Sequence, residues 1–269
     1  MIAQLISPSR TFLFVRRYVF EYARVYGLLY LAIAAFLILW LGVHLNFTNP
    51  MLFSERVQVA YYFVTLFLAG CLSAGVLFSE LGSKTRAIHY HLIPASSLEK
   101  FITSLLFGVF VFLVMCSAIF FAVDYVAVTI ANYKYDTHWE VINLLSLNKY
   151  PNPFFDSPLN NMFCLYFPIQ AVFLLCSVYF RKYGLFKAIV AMGLLWVVFI
   201  AIFLLFGKFL PVGMFSGGLG SYEVIEANGD NKLVSLSPWL VGAATIFFKF
   251  LLTPILWASA YFRLKEKEL

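Results

Sequence analysis

His89 and His91, one residue apart, are the pair in this chain best spaced to share a metal ion. A metal site needs three or four ligands, however, and no cysteine or acidic cluster stands beside them, so the pair reads as polar sequence rather than as a metal centre. Ser216 to Gly220, SGGLG, has the glycines of a phosphate loop, but no Lys-Ser or Lys-Thr follows, and a hinge is the better reading. His-Glu-x-x-His, Gly-x-Ser-x-Gly and a Walker-type loop are all missing from the sequence. No residue is therefore assigned a catalytic, cofactor-binding or metal role, and ATP hydrolysis is not expected of this chain. Cys71, Cys116, Cys164 and Cys176 all fall inside apolar runs, where they act as small apolar residues.

The polar residues that remain are concentrated in Ser79 to Phe101, SELGSKTRAIHYHLIPASSLEKF, between two long apolar runs. Ser96 followed three residues later by Glu99 forms a capping box: the serine oxygen accepts a free backbone N–H, and the glutamate reaches back to the cap residue. A helix should start near Ser97. Pro94 disfavours helix at Ile93 and has no N–H of its own, which separates that helix from what precedes it. Ser83 to His91 has room for one or two short amphipathic turns, made basic by Lys84 and Arg86. The competing reading is a solvated loop that follows the positive-inside rule.

Hydrophobic residues make up 62% of the chain and charged residues 12%, against roughly 45–50% and 25% in a soluble domain. The chain is expected to be an all-α integral membrane protein and a single polytopic domain. Windows of about 20 apolar residues, enough to cross a core of about 30 Å, fit at Tyr26 to Asn46, Val57 to Phe78, Ile102 to Ile130, Met162 to Phe180, Leu185 to Phe206 and Trp239 to Phe262. The first run follows several arginines and lacks a small-residue cleavage site, so it is expected to stay as an anchor.

In a six-span arrangement Arg10, Arg16, Arg17, Arg24, Lys84, Arg86, Lys100, Arg181, Lys182, Arg263, Lys265 and Lys267 share one side, which places both termini in the cytoplasm. The formal charge of +6 sits where anionic lipid attracts it, and no nucleic acid is needed to explain it.

Along the chain, Ser9 to Val25 reads as an interfacial helix. Arg10, Arg17, Glu21 and Arg24 form its charged stripe, and Phe12, Leu13, Val15, Val19 and Tyr22 its apolar body. Asp124 lies near the outer end of the third run. Asn132 to Asn161 reads as an external capped loop, with an amphipathic piece at Trp139 to Leu147. Between the fifth and sixth runs, YEVIEA, Asn228-Gly229-Asp230-Asn231 and KLVSL read as a small external hairpin. Lys249 stands deep in the sixth run. A lysine there costs about 2.5–3.5 kcal/mol on insertion scales, so it is expected to face protein, a dimer interface or a hydrated path, with Asp124 as a compensating carboxylate. Snorkelling to an interface is the alternative.

Leu92-Ile93-Pro94-Ala95-Ser96-Ser97-Leu98-Glu99-Lys100-Phe101 resembles the Leu-Pro-Ala-Ser...Glu-Lys stretch of the membrane subunit of type-2 ABC exporters, in particular the ABC permease-like proteins of Bacteroidetes-type bacteria. The six-run layout extends the resemblance over nearly the whole chain. It implies a bacterial inner-membrane permease, performing no covalent chemistry, that pairs with a second permease chain, as homo- or heterodimer, and with an ATP-binding cassette subunit carrying ATP and Mg. It further implies an interfacial helix at Ser9 to Val25, and ATPase coupling through Glu80, Lys84, Arg86, Ser96, Glu99 and Lys100. The hairpin departs from the short re-entrant helices of that family. An ATPase-independent transporter, or a structural subunit of a membrane assembly, is the other reading.

Overall fold

The computed structural model describes residues 8–47, 55–78, 88, 92, 95–136, 138–141, 158–180, 184–209, 213–215, 221–225, 231–235 and 237–268. Helix α1 is Pro8–Phe47 and α2 is Glu55–Val76. Helix α3 runs through Ser97–Leu105, a π-helical turn at Leu106–Val111, and Phe112–Tyr135. Helices α4 and α5 are Pro158–Tyr179 and Gly184–Phe209. Helix α6 joins Pro238–Ile246, a π-helical turn at Phe247–Leu251, and Leu252–Glu268. Four stretches are long and apolar enough to cross a membrane: Thr11–Asn46, Val57–Val76, Ser97–Tyr135 and Met162–Tyr179. The corresponding stretch of α5, Gly184–Val198, is shorter, so the described residues support four spans by this measure where the sequence suggested six.

The largest correction concerns the N-terminal segment. The expected interfacial helix and first span are one helix of 40 residues, about 60 Å long at 1.5 Å per residue, or twice the hydrocarbon core. No proline interrupts it, and Gly27 alone is too weak a breaker. Across the expected break runs a ladder of tyrosines four residues apart. The rings of Tyr18 and Tyr22 lie 4.5 Å apart, those of Tyr22 and Tyr26 6.4 Å, and those of Tyr26 and Tyr30 6.2 Å. The Tyr18 and Tyr26 hydroxyls are 3.0 Å apart. The ladder docks on α3, Tyr18 against Phe107 and Tyr30 stacked on Phe112. Phe14 and Tyr18 are buried, while Phe12, Leu13 and Phe20 are exposed. The segment is therefore held by helix packing, and its apolar body divides between a seam and an outer face.

Helices α2 and α4 meet along small residues, as helices in lipid do when they pack by close approach. Ala69, Ser73 and Ala74 are buried. A Cβ placed on Gly70 would lie 2.7 Å from both Cε2 and Oη of Tyr166, and one on Gly75 would lie 3.4 Å from Leu185 of α5. Polar side chains tie the core together. Tyr62 Oη and Ser117 Oγ are 2.8 Å apart, and Gln170 Nε2 donates to Gly108 O at 3.0 Å inside the π turn of α3. That π turn has a cause, because a side chain from α4 enters the backbone ladder of α3. The π turn of α6 has another: Pro254 brings no N–H and crowds the carbonyl of Phe250, and the widened turn just before it relieves the clash.

Between α5 and α6 lie three short antiparallel strands, β1 (Gly213–Phe215), β2 (Ser221–Ile225) and β3 (Asn231–Ser235), in the order β1-β2-β3. Ser221 pairs with Ser235 and Ile225 with Asn231. Gly213–Phe215 adds a strand that the two-stranded sequence reading lacked, because three residues carry no alternation of their own. The residues read as turn, Asn228 to Asp230, and Ser216 to Gly220 lie outside the described residues.

Candidate functional site

Helix α3 starts at Ser97, where the cap places it. Ser96 is extended (φ −66°, ψ 152°), its Oγ accepts from the backbone N–H of Glu99 at 3.2 Å, and its own N–H donates to Glu99 Oε2 at 2.9 Å. The other carboxylate oxygen is also engaged: Thr11 Oγ1 of α1 donates to Glu99 Oε1 at 3.2 Å. One buried carboxylate, 1% exposed, thus closes the start of α3 and fastens it to the start of α1. Lys100 beside it is also buried.

Other helix ends converge on this junction. Phe78, at the end of the α2 segment, stacks on Phe101 at 6.3 Å with the planes 9° apart, and Phe101 meets Tyr261 of α6 at 5.8 Å. The end of α6 also grips α4. Lys267 Nζ donates to the carbonyl of Val178, and the Arg263 guanidinium lies 4.8 Å over the Tyr179 ring. Lys187, early in α5, sits 5.0 Å over Phe180. The starts of α1, α3 and α5 and the ends of α2, α4 and α6 therefore share one end of the bundle. The segment that enters this end, from Ser79 to Pro94, holds Glu80, Lys84, Arg86, His89 and His91, which lie outside the described residues together with the short amphipathic turns read there. Of the six expected coupling residues, Ser96, Glu99 and Lys100 are brought together.

On α1, Arg17 and Glu21 form an exposed ion pair at 3.2 Å, and Arg24 is exposed beside them. Such a pair is worth a few tenths of a kcal/mol, so it marks a solvated or headgroup-facing side rather than a source of stability. Arg10 lies in the first turn of the same helix.

The opposite end is closed by different contacts. Tyr135 Oη donates to Leu45 O at 2.6 Å, Lys134 Nζ to Asn46 Oδ1 at 2.9 Å, and Gln58 Nε2 to Glu140 O at 3.3 Å. Asn132 bridges both backbone groups of Trp139 at 2.8 and 2.9 Å. These bonds extend α3 beyond its expected end at Ile130. The rest of the amphipathic piece expected there lies outside the described residues. Asp124 is completely buried on the stripe of α3 that holds Phe120, Ala127 and Val128. Lys249 is half-buried on α6, which packs chiefly on α4 and on the first turns of α3. The two residues form no ion pair with each other, so the expected compensation is not made. The reason is positional, because Asp124 faces the α1–α2 side and stands about four turns beyond the part of α3 that α6 touches.

Sequence reasoning missed Thr11, the tyrosine ladder, Gly70 with Tyr166, and Gln170. The tyrosine spacing of four residues and the small residues from Ala69 to Gly75 were signals in plain view. Thr11 had none. Comparison of the chain with family models, with curated proteins and with solved structures gives no match in any of the three. The class that the helices define is a membrane-embedded helical protein.

Proposed function

We propose that this chain is the membrane-spanning permease subunit of an ATP-driven type-2 ABC exporter, with six spans and both termini in the cytoplasm of a bacterial inner membrane. ATP and Mg belong to a separate ATP-binding cassette subunit, and a second permease chain completes the translocator. The observation that carries this reading is the cross-tied start of α3. A permease without a nucleotide site can feel hydrolysis only through a stiff element at its cytoplasmic end. The Ser96–Glu99 box stiffens the first turn, and Thr11 and Phe101 connect it to α1 and α6, so a push on the segment before Ser96 would reach three helices at once. The resemblance of Leu92 to Phe101 to the exporter motif supports the same assignment.

Glu80 and Arg86 are the expected direct contacts, since charges on a polar rim set register and partner choice. In a complex purified with its ATPase, Glu80→Ala with Arg86→Ala is expected to lower both ATPase co-purification and substrate-stimulated hydrolysis. Normal values for both would reduce the segment to a solvated connection and favour an ATPase-independent membrane protein.

Orientation has its own test. Single cysteines replacing Ser54 and Asn228 should react with an impermeant thiol reagent in intact cells, and one replacing Lys265 should not. Labelling at position 265 would overturn the topology.

A further inference from the structure

Lys249, Thr253, Trp257, Ala260 and Leu264 recur every three or four residues and form one stripe of α6. The second half of this stripe is apolar and fully packed, with Ala260 and Leu264 buried in the cluster that holds Leu174 and Val178 of α4. The first half is polar. Thr253 is 6% exposed, and its hydroxyl has no hydrogen-bond partner. The indole N–H of Trp257, enclosed where the ring meets Phe110 of the α3 π turn, has none either. Lys249 is half-buried, and its ammonium has no hydrogen bond, ion pair or ring contact among the described residues.

Thr65 and Thr103 also have buried hydroxyls without a partner among the described residues, so what sets Thr253 apart is its place between Lys249 and Trp257 on one stripe. Other helical hydroxyls do bond back to the carbonyl four residues earlier, as Ser117 does to Leu113, Thr129 to Tyr125 and Ser259 to Ile255, each at 2.8 or 2.9 Å. For Thr253 that carbonyl belongs to Lys249, inside the π-helical turn, and the bond is not made. An ammonium, a hydroxyl and an indole N–H thus stand along about 12 Å of one helix face, offering hydrogens and one full positive charge. In a water-poor interior such donors call for an acceptor, and an anion answers both the hydrogen bonds and the charge. Phe248 and Phe250, which flank Lys249 on either side, are exposed.

We propose that this stripe binds an amphipathic anion: an oxyacid head, carboxylate or phosphate, on a single apolar chain. Lys249 Nζ and Thr253 Oγ1 hold the head, and the chain lies along the exposed ring of Phe250 next to them. A bilayer phospholipid does not fit as well, because its headgroup is anchored about 15 Å away, half the thickness of the core, from a lysine near the middle of the Trp239 to Phe262 run. That the anion is cargo rests on the permease reading above, and the depth of Lys249 rests on the sixth span of that reading; the unpaired donors do not.

The test is equilibrium binding of tritiated stearate to the whole chain in phosphatidylcholine nanodiscs, with no ATPase present. Saturable binding is expected, displaced by stearyl phosphate and not by stearyl alcohol, and unchanged when phosphatidylglycerol is added to the disc. Lys249→Met should weaken it by at least about tenfold, Lys249→Arg should retain most of it, and Thr253→Val should weaken it several-fold. Lys249→Met removes an intramembrane charge, so its melting profile should match or exceed that of the unaltered chain. If it does not, Thr253→Val together with the retained affinity of Lys249→Arg decides. Undiminished binding by Lys249→Met, or equal competition by stearyl alcohol, would overturn the site. Displacement by phosphatidylglycerol would overturn the single-chain ligand in favour of a bilayer lipid. Binding as expected without ATPase co-purification would leave the site standing and remove only the exporter assignment.

Discussion

Replacing Gly70 by Leu should prevent recovery of a monodisperse, folded chain from detergent, and Gly70→Ala should already lower its melting temperature. A Cβ at this position lies 2.7 Å from Cε2 and Oη of Tyr166 and 3.1 Å from Cζ. The ring cannot swing aside. It is 1% exposed and packed edge-on against Phe67 at 5.7 Å and Phe167 at 5.5 Å. The added carbon must therefore push α2 and α4 apart along their whole seam, an overpacking that costs about 1–3 kcal/mol for alanine and more for leucine. Gly27, Gly42 and Gly193 are the controls. Nothing lies within 4 Å of a Cβ on any of them, so alanine there should be neutral or slightly stabilising, since it favours the helix by up to about 1 kcal/mol. Shortening the opposing ring with Tyr166→Leu should make Gly70→Ala cost less than it does alone, a coupling that a double-mutant cycle in thermal unfolding would read. Equal melting of Gly70→Ala and the unaltered chain would mean that the two helices do not meet here.

Glu99→Ala is expected to have the second-largest effect on stability, about 2–3 kcal/mol. Two donors lose their acceptor at once, the Ser96 N–H and the Thr11 hydroxyl, at a carboxylate that is almost fully enclosed. Ser96→Ala removes the cap to the Glu99 N–H and should cost about 1 kcal/mol. The order of the two separates a local cap from a tertiary tie. Thr11→Val should be milder than Glu99→Ala, and its cost should fall once Glu99 is gone, because the bond between the two is then already lost. Hydrogen exchange adds a spatial readout. Ser96→Ala should speed exchange in the first turn of α3 alone, whereas Glu99→Ala should also loosen the start of α1. If Glu99→Ala leaves α1 protected, the tie between the two helices contributes nothing, and the route proposed for transmitting motion loses its first link.

The sequence alone was sufficient for the features whose causes lie within a few residues of each other. The apolar runs follow from side-chain hydropathy summed over about 20 neighbours, and the start of α3 follows from a serine and a glutamate three residues apart. The sequence reading of a hairpin around Asn228-Gly229 is matched by the pairing of Ser221–Ile225 with Asn231–Ser235. Tertiary structure decided whatever depends on two faces meeting. Thr11 and Glu99 are 88 residues apart, and no local pattern in either segment announces their bond. The charged N-terminal segment continues into the first span because α3 offers its tyrosines a surface, while an amphipathic pattern on its own is equally suited to lying on a membrane. Asp124 and Lys249 looked like partners because both are charges in apolar surroundings, yet a hydrogen-bonded ion pair needs contact within about 4 Å, and the packing of α6 on α4 sets them on different seams. The widened turns of α3 and α6 arise from a glutamine donated by a neighbour in one case and from a proline within the helix in the other. Only the second of these was written in the local sequence.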